Sequence, residues 1–433
     1  MKFGRSLGFL AALVSALCIG GLLSVAVTSK SYSESYPAVV CPPTLAGLTS
    51  QISLASKKTP FQRLQNRTTK TAPVKVLRLP VNKDSLLFSS DGVTPVVWQS
   101  RASSWAGGAV CTGPEASQWF VGGTADITTR GRLIIINSGL SDAVVDVQSF
   151  TENGKQPLRT ITVVSKNYQV IPTDSLAPGD KYLTVHVAPR SGRINAFMID
   201  EQGTGLKSLG GDLINSVSNA SKSVMIPAIP HQVKSNSALP HTLRVLTPGD
   251  VDASVTAEVL SSDGVFVPVG LTSRTVSAGI VTEFQFTPKI SSTVLAVRIT
   301  STEPVVAAVK STVTVAGRKD FVWSTSAPEL VPLTIAISGL TPLVSFVGER
   351  INVSLDVTLT NGKVVRKTVK GTDIATWRAP DAARSFTITK VGPDTFAGAL
   401  VSSVNGYGYF PIASGSLLTK IELPDSNIRV LNP

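Results

Sequence analysis

Two pairs of carboxylates stand close enough in the chain to be weighed for hydrolytic chemistry: Asp200 with Glu201, and Asp250 with Asp252. Carboxyl groups flanking a glycosidic bond can serve as acid and base, or as acid and nucleophile. Neither pair has the setting this requires. Asp200-Glu201 has no counterpart in the second of the repeats described below, and Asp250 and Asp252 fall at a Pro-Gly-Asp turn, so both pairs read as solvated turn residues. The three histidines, His186, His231 and His241, and the three cysteines, Cys18, Cys41 and Cys111, show no metal-ligand spacing. There is no Gly-x-Ser-x-Gly elbow, no phosphate loop and no His-Glu-x-x-His string. The expectation is a chain with no enzymatic activity and no cofactor. The competing expectation is a wall-polysaccharide hydrolase or transferase that uses carboxylates other than these.

Binding chemistry is better represented. The formal net charge is +12, and residues 57–83 carry Lys57, Lys58, Arg63, Arg67, Lys70, Lys75, Arg78 and Lys83 with no acidic residue among them. Such a run either contacts anionic lipid headgroups or acidic wall polymer, or is a solvated linker. Nucleic acid is excluded as a partner, because no helix or aromatic platform accompanies the charges and the chain reads as exported. That reading comes from the amino terminus. Lys2 and Arg5 precede an uncharged, largely apolar stretch over residues 6–29, long enough to span a bilayer as one helix with the body outside. Ser24-Val25-Ala26 offers the alternative of a cleaved signal peptide and a secreted body. With Cys18 inside that stretch, Cys41 and Cys111 are the pair left in an oxidising compartment, and a disulfide between them is expected.

The elements that must carry these residues are strands. Hydrophobic residues make up 42% of the 433, aromatics only 6%, and valine, threonine and serine fill the difference, a composition that favours sheets over helices. One pattern recurs three times. Val185-His-Val187, Val297-Arg-Ile299 and Phe386-Thr-Ile388 are each followed, nine residues on, by an alanine in an apolar run: Ala196, Ala308 and Ala397. Each copy is preceded by a turn dipeptide, Asn153-Gly154, Asp263-Gly264 or Asn361-Gly362, suited to a tight hairpin. His241-Thr-Leu-Arg-Val-Leu aligns with Gly131-Arg-Leu-Ile-Ile-Ile, and Val255-Thr-Ala-Glu-Val-Leu with Val145-Asp-Val-Gln-Ser-Phe.

The resulting expectation is a mainly β protein of tandem, immunoglobulin-like β-sandwich units after one amino-terminal transmembrane helix. Residues 1–30 form the anchor or signal peptide. Residues 31–125 form a basic linker and cysteine-containing segment packing on the first unit. The units themselves span 126–205, 224–323 and 333–433, with polar crossings over 203–238 and 324–332. Within 31–125, Trp119-Phe-Val-Gly-Gly123 reads as a strand ending in a turn, its two aromatics seeding the first core beside the disulfide rather than forming a ligand platform.

Cys41-Pro42, Cys111 followed by Trp119-Phe-Val-Gly-Gly123, and the Pro-Gly-Asp turns at 178–180 and 248–250 together resemble an uncharacterised actinobacterial family of extracellular, single-pass membrane-anchored, β-rich proteins. That resemblance implies location and architecture, and no activity. The functional expectation is a non-catalytic cell-envelope module that contacts anionic lipid, wall polymer or an envelope-assembly protein.

Overall fold

In a computed structural model, residues 13–15, 37–66, 68–89, 92–204, 207–234 and 237–416 are described. The expected anchor over 6–29 lies outside the described residues apart from 13–15. Among the described residues no helix is long and apolar enough to cross a membrane. The protein is mainly β, and among the described residues helix is limited to one 3₁₀ turn, Thr173–Ser175, and a short turn at 13–15.

The first repeat folds as two facing sheets. One runs in the order Asn167–Pro172, Arg132–Asn137, Ile194–Thr204, Lys207–Ile214, and the other Gly154–Lys155, Ala143–Thr151, Thr184–Ser191, Gln118–Val121. Leu133, Ile135, Val145, Val147, Val185, Val187, Ala196 and Met198 meet between them. The strand Arg132–Asn137 is an unbroken apolar run because it is covered on both faces. Ile134 and Ile136 turn away from that core to join Val40, Cys41, Leu86 and Cys111 in a second one. Strands buried on both sides lose the apolar and polar alternation that marks a half-solvated strand.

The second repeat has the same pairing. His241–Leu246 lies between Thr282–Phe286 and the second half of Val294–Val315, as Arg132–Asn137 lies between its two neighbours. Ala253–Ser261 pairs with the first half of that same 22-residue strand. The three triplets take equivalent positions. Their outer members and the following alanines are buried, and the middle residues His186, Arg298 and Thr387 are half-buried. Period-2 alternation therefore reports the same face each time. The hairpin glycines Gly154, Gly264 and Gly362 have φ of 104°, 121° and 89°, the left-handed region their turns demand.

His241 is enclosed in this second layer. Its Nε2 shares a hydrogen bond with Nδ1 of His231 at 3.0 Å, its Nδ1 shares one with the Ser311 hydroxyl at 2.8 Å, and Phe286 stacks on the ring. Burial, and then the neighbouring His231, push this imidazole down to about 3. A base depressed in the folded state favours folding fully above its unfolded value near 6.5, and that stability is lost as pH falls towards 3. Relative to His241→Gln, the parent protein gains about 3 kcal/mol between pH 4 and pH 7. Paired urea titrations at the two pH values measure this, and a difference that does not change with pH refutes it. The comparison must be made against the variant because Asp320, raised by burial to about 7, tilts the parent's own pH dependence the opposite way.

The amino-terminal segment is a folded piece rather than a linker. Pro60–Arg63 and Lys70–Thr71 join Leu86–Ser89 and Pro37–Cys41 in a small sheet. Phe61, Leu64, Ala72 and Leu79 lie in the core beneath. The segment shares a core with Ile134, Ile136 and Phe197 of the first repeat, and it also extends the third. Val93–Arg101 runs parallel to Leu333–Ala336, continuing a sheet that holds Leu343–Leu359, Ala383–Lys390, Phe396–Ser402 and Tyr407–Pro411. The stretches expected as crossings are themselves largely strand: Lys207–Ile214, Ser221–Pro230 and the end of Arg318–Thr325. Residues 36–418 accordingly form one contact unit.

Cys41 and Cys111 form a disulfide, fully buried, and the backbone bonds between Val40 and Thr112 lie beside it. Trp119 and Phe120 belong to the first repeat's core as expected, but the disulfide falls in the other cluster, among the amino-terminal strands. The reason is geometric: strand Gln118–Val121 pairs with Thr184–Ser191, whereas Cys111 directly follows the hairpin strand Trp105–Val110.

Candidate functional site

Lys57, Lys58, Lys70, Lys75 and Lys83 are exposed on the small amino-terminal sheet and its turns, and none forms an ion pair with a described residue. Arg63 is half-buried, and Arg67 lies outside the described residues. Arg78 is half-buried. Its stem lies 2.8 Å from where a Cβ on Gly339 would stand, and burial lowers its guanidinium below the usual range. Tyr168 donates to the Lys83 carbonyl at 2.8 Å, which ties this sheet to the first repeat. The basic run thus presents five exposed lysines, one on a strand and four on the turns that join the amino-terminal strands.

The carboxylate pairs do not line the groove described below. Asp250 and Asp252 are exposed at their turn, where Asp252 accepts from the Ala278 N–H at 2.8 Å. Asp200 and Glu201, expected as solvated turn residues, are instead buried within strand Ile194–Thr204. The correction has a clear cause, because both face protein rather than water. Glu201 pairs with Arg101 at 2.6 Å, and Asp200 accepts from the Trp323 indole N–H at 2.9 Å and from Gln202 at 2.9 Å.

That indole is the centre of a polar knot between the first two repeats. The Trp323 backbone N–H donates to Asp212 at 2.8 Å, and Asp320 accepts from the Gly211 and Phe321 N–H groups at 3.1 and 2.9 Å. Burial raises the Asp212 carboxyl well above its usual range and lowers the Lys310 ammonium. Lys310 reaches Gln202 at 3.1 Å over the Phe321 ring. Arg244 donates to the carbonyls of Gly123 and Leu183 at 2.6 and 2.8 Å, grips Glu283 at 2.6 Å and lies over Trp323. Gly122 and Gly123 let the backbone pack closely beside the knot: a Cβ on Gly122 would lie 2.8 Å from Ile214 and 3.0 Å from Trp323, and one on Gly123, at φ 85°, 2.7 Å from Met198. Perturbed titratable groups often mark function. Here the carboxylates are buried and bond chiefly to backbone N–H groups and neutral side chains, with Asp200 Oδ1 and Asp320 Oδ2 left without a hydrogen bond among the described residues.

An open groove of about 720 Å³ lies elsewhere, lined by residues from 110–117, 216–225, 326–333 and 411–416, with Phe396. Its size is that of a small-ligand site. Val110, Met225, Leu333 and Ile412 supply apolar wall, and eight serines supply hydroxyls. Glu115 and Glu329 are the charged residues of the lining. Burial raises the Glu115 carboxyl, offset in part by the Ser218 hydroxyl donating at 3.3 Å. Glu329 accepts from the Asp394 N–H at 2.9 Å. At one side Ser117 shares a 2.9 Å hydrogen bond with Nε2 of His186, whose ring stacks on Trp119 at 4.1 Å. Sequence reasoning missed this groove because four separated segments build it. The run Ser216-Val-Ser-Asn-Ala-Ser-Lys-Ser223, read as an inter-domain crossing, was its one visible trace.

Among the described residues no cluster of three or more His, Cys, Asp or Glu could hold a metal ion. The model of a family described as "Family of unknown function (DUF5719)" matches residues 99–374. No curated protein matches the chain. The crystal structure of Thermotoga maritima 1070 is similar over 25% of this chain and 93% of its own, at 16% identity and a TM-score of 0.16. The crystal structure of a tetra-tandem repeat in the extending region of a large adhesion protein is similar over 88% of this chain and 95% of its own, at 13% identity and a TM-score of 0.12. Scores this low carry no argument about fold or function.

Proposed function

We propose, on the premise that the chain belongs to the DUF5719 family of unknown function, that it is an exported cell-envelope module that binds or spaces other components. In this reading it is held at the membrane by residues 6–29, or released by cleavage there, and its facing sheets are of the immunoglobulin-like sandwich class. The observation that supports the binding role is the set of five exposed lysines on the folded amino-terminal strands and the turns between them. A tethered charge keeps its place beside its neighbours, so the five act together on an anionic lipid or wall-polymer surface without first paying to order a linker.

Salt is the discriminating variable, since exposed charges are screened over about 8 Å at physiological ionic strength. Changing Lys57, Lys58, Lys70, Lys75 and Lys83 to Gln lowers affinity for phosphatidylglycerol vesicles or purified acidic wall polymer by at least about tenfold at low salt, and flattens the salt dependence. Sedimentation of the full chain with each surface measures it. Unchanged binding by the five-fold variant removes the electrostatic role.

A further inference from the structure

We propose that the groove between 110–117, 216–225, 326–333 and 411–416 binds an extended peptide segment carrying a lysine or arginine side chain. The inference does not rest on the lysine face, which lies on other residues and takes ligands of the opposite charge.

Charge carries the first step. The chain is strongly basic, at +12, yet the described residues of this groove include Glu115 and Glu329 and no Lys, Arg or His. Lys222, which sits between two lining serines, is not among the lining residues and pairs with Glu303 at 3.7 Å. Glu115 is half-buried, and the partner the described residues give it is a neutral hydroxyl. A carboxylate drawn out of water against a neutral partner is incompletely compensated, and an incoming cation supplies what is missing. An anion would add repulsion to the same cost, and a neutral sugar would leave the cost standing.

The remaining lining selects among cations. Val110, Met225, Leu333 and Ile412 form a wall suited to the aliphatic stem of a long basic side chain, which buries its methylenes while its head reaches a carboxylate. Ser216, Ser218, Ser221, Ser223 and Ser326 present hydroxyls that both donate and accept. A peptide backbone offers carbonyls and N–H groups to satisfy them, whereas an alkyl diamine offers only donors. The cavity volume, about 720 Å³, suits a short segment rather than a folded domain.

The test uses the full chain in equilibrium dialysis against a pool of pentapeptides, acetyl-X-X-Lys-X-X-amide, a matched pool with N-acetyl-lysine at the centre, and 1,5-diaminopentane. The lysine pool is retained at least tenfold better than the acetylated pool and better than the diamine. Glu115→Gln with Glu329→Gln abolishes that preference. Both substitutions keep the acceptor oxygen that serves Ser218 and the Asp394 N–H, and an unchanged thermal midpoint shows the fold intact. The five-lysine variant, whose changes lie outside the groove lining, retains the preference, so failure of the envelope reading and failure of this one are separable. Equal retention of the two pools, no retention of either at millimolar concentration, a preference for the diamine, or a preference that survives loss of both carboxylates overturns the proposal.

Discussion

Replacing Arg244 with leucine costs about 3–5 kcal/mol of stability, the range for breaking a buried, hydrogen-bonded charge pair by removing one partner. The size follows from what is stranded. Glu283 loses a cation at 2.6 Å, and the carbonyls of Gly123 and Leu183, held in a different repeat, lose their donor. No water-filled space replaces the guanidinium, because the side chain is 4% exposed and lies against Trp323. A Glu283→Gln change on top of Arg244→Leu recovers part of the loss, since it removes the unpaired charge and leaves a neutral amide. Urea unfolding of the three variants at neutral pH measures these differences, and a loss below about 1 kcal/mol for Arg244→Leu would mean the knot does not hold the repeats together.

Opening the Cys41–Cys111 bridge is the second large effect. The cross-link spans 70 residues, and confining a loop of that size in the unfolded chain stabilises the fold by about 4 kcal/mol on the chain-entropy account. The loop contains the lysine face, so reduction, or Cys41→Ala with Cys111→Ala, should loosen the small amino-terminal sheet first. Hydrogen exchange at Pro60–Arg63 and Leu86–Ser89 then rises before that of the second repeat. The lysines lose their fixed spacing at the same time, and vesicle binding weakens although every charge remains. Identical unfolding midpoints with and without reductant would rule this account out.

The chain's local order was open to reading because it is written in short-range patterns. Asn-Gly and Asp-Gly turns, period-2 alternation and the recurring triplets located the hairpins and told which residues face inward, since each depends on neighbours a few positions apart. The same reasoning paired Cys41 with Cys111, where the choice of partners was small. It misjudged charged residues whose environment is set by distant segments. Asp200 and Glu201 look like solvent-facing turn residues until Arg101 and Trp323, roughly a hundred residues away on either side, close over them. Residues 57–83 look like a charged linker until Phe61, Leu64 and Leu79 find a core shared with Ile134 and Phe197. The parallel pairing of Leu333–Ala336 with Val93–Arg101 leaves no mark that identifies the partner, because every non-proline residue offers the same backbone donor and acceptor. The groove has the same origin: its carboxylates and serines come from four stretches that only the packing of whole sheets brings to one wall. Sequence alone determined strands, turns and the disulfide, which are decided by local sterics and by a short list of partners. Tertiary structure alone decided burial of charge and the shape of the surface, because both are sums over contacts that no local pattern encodes.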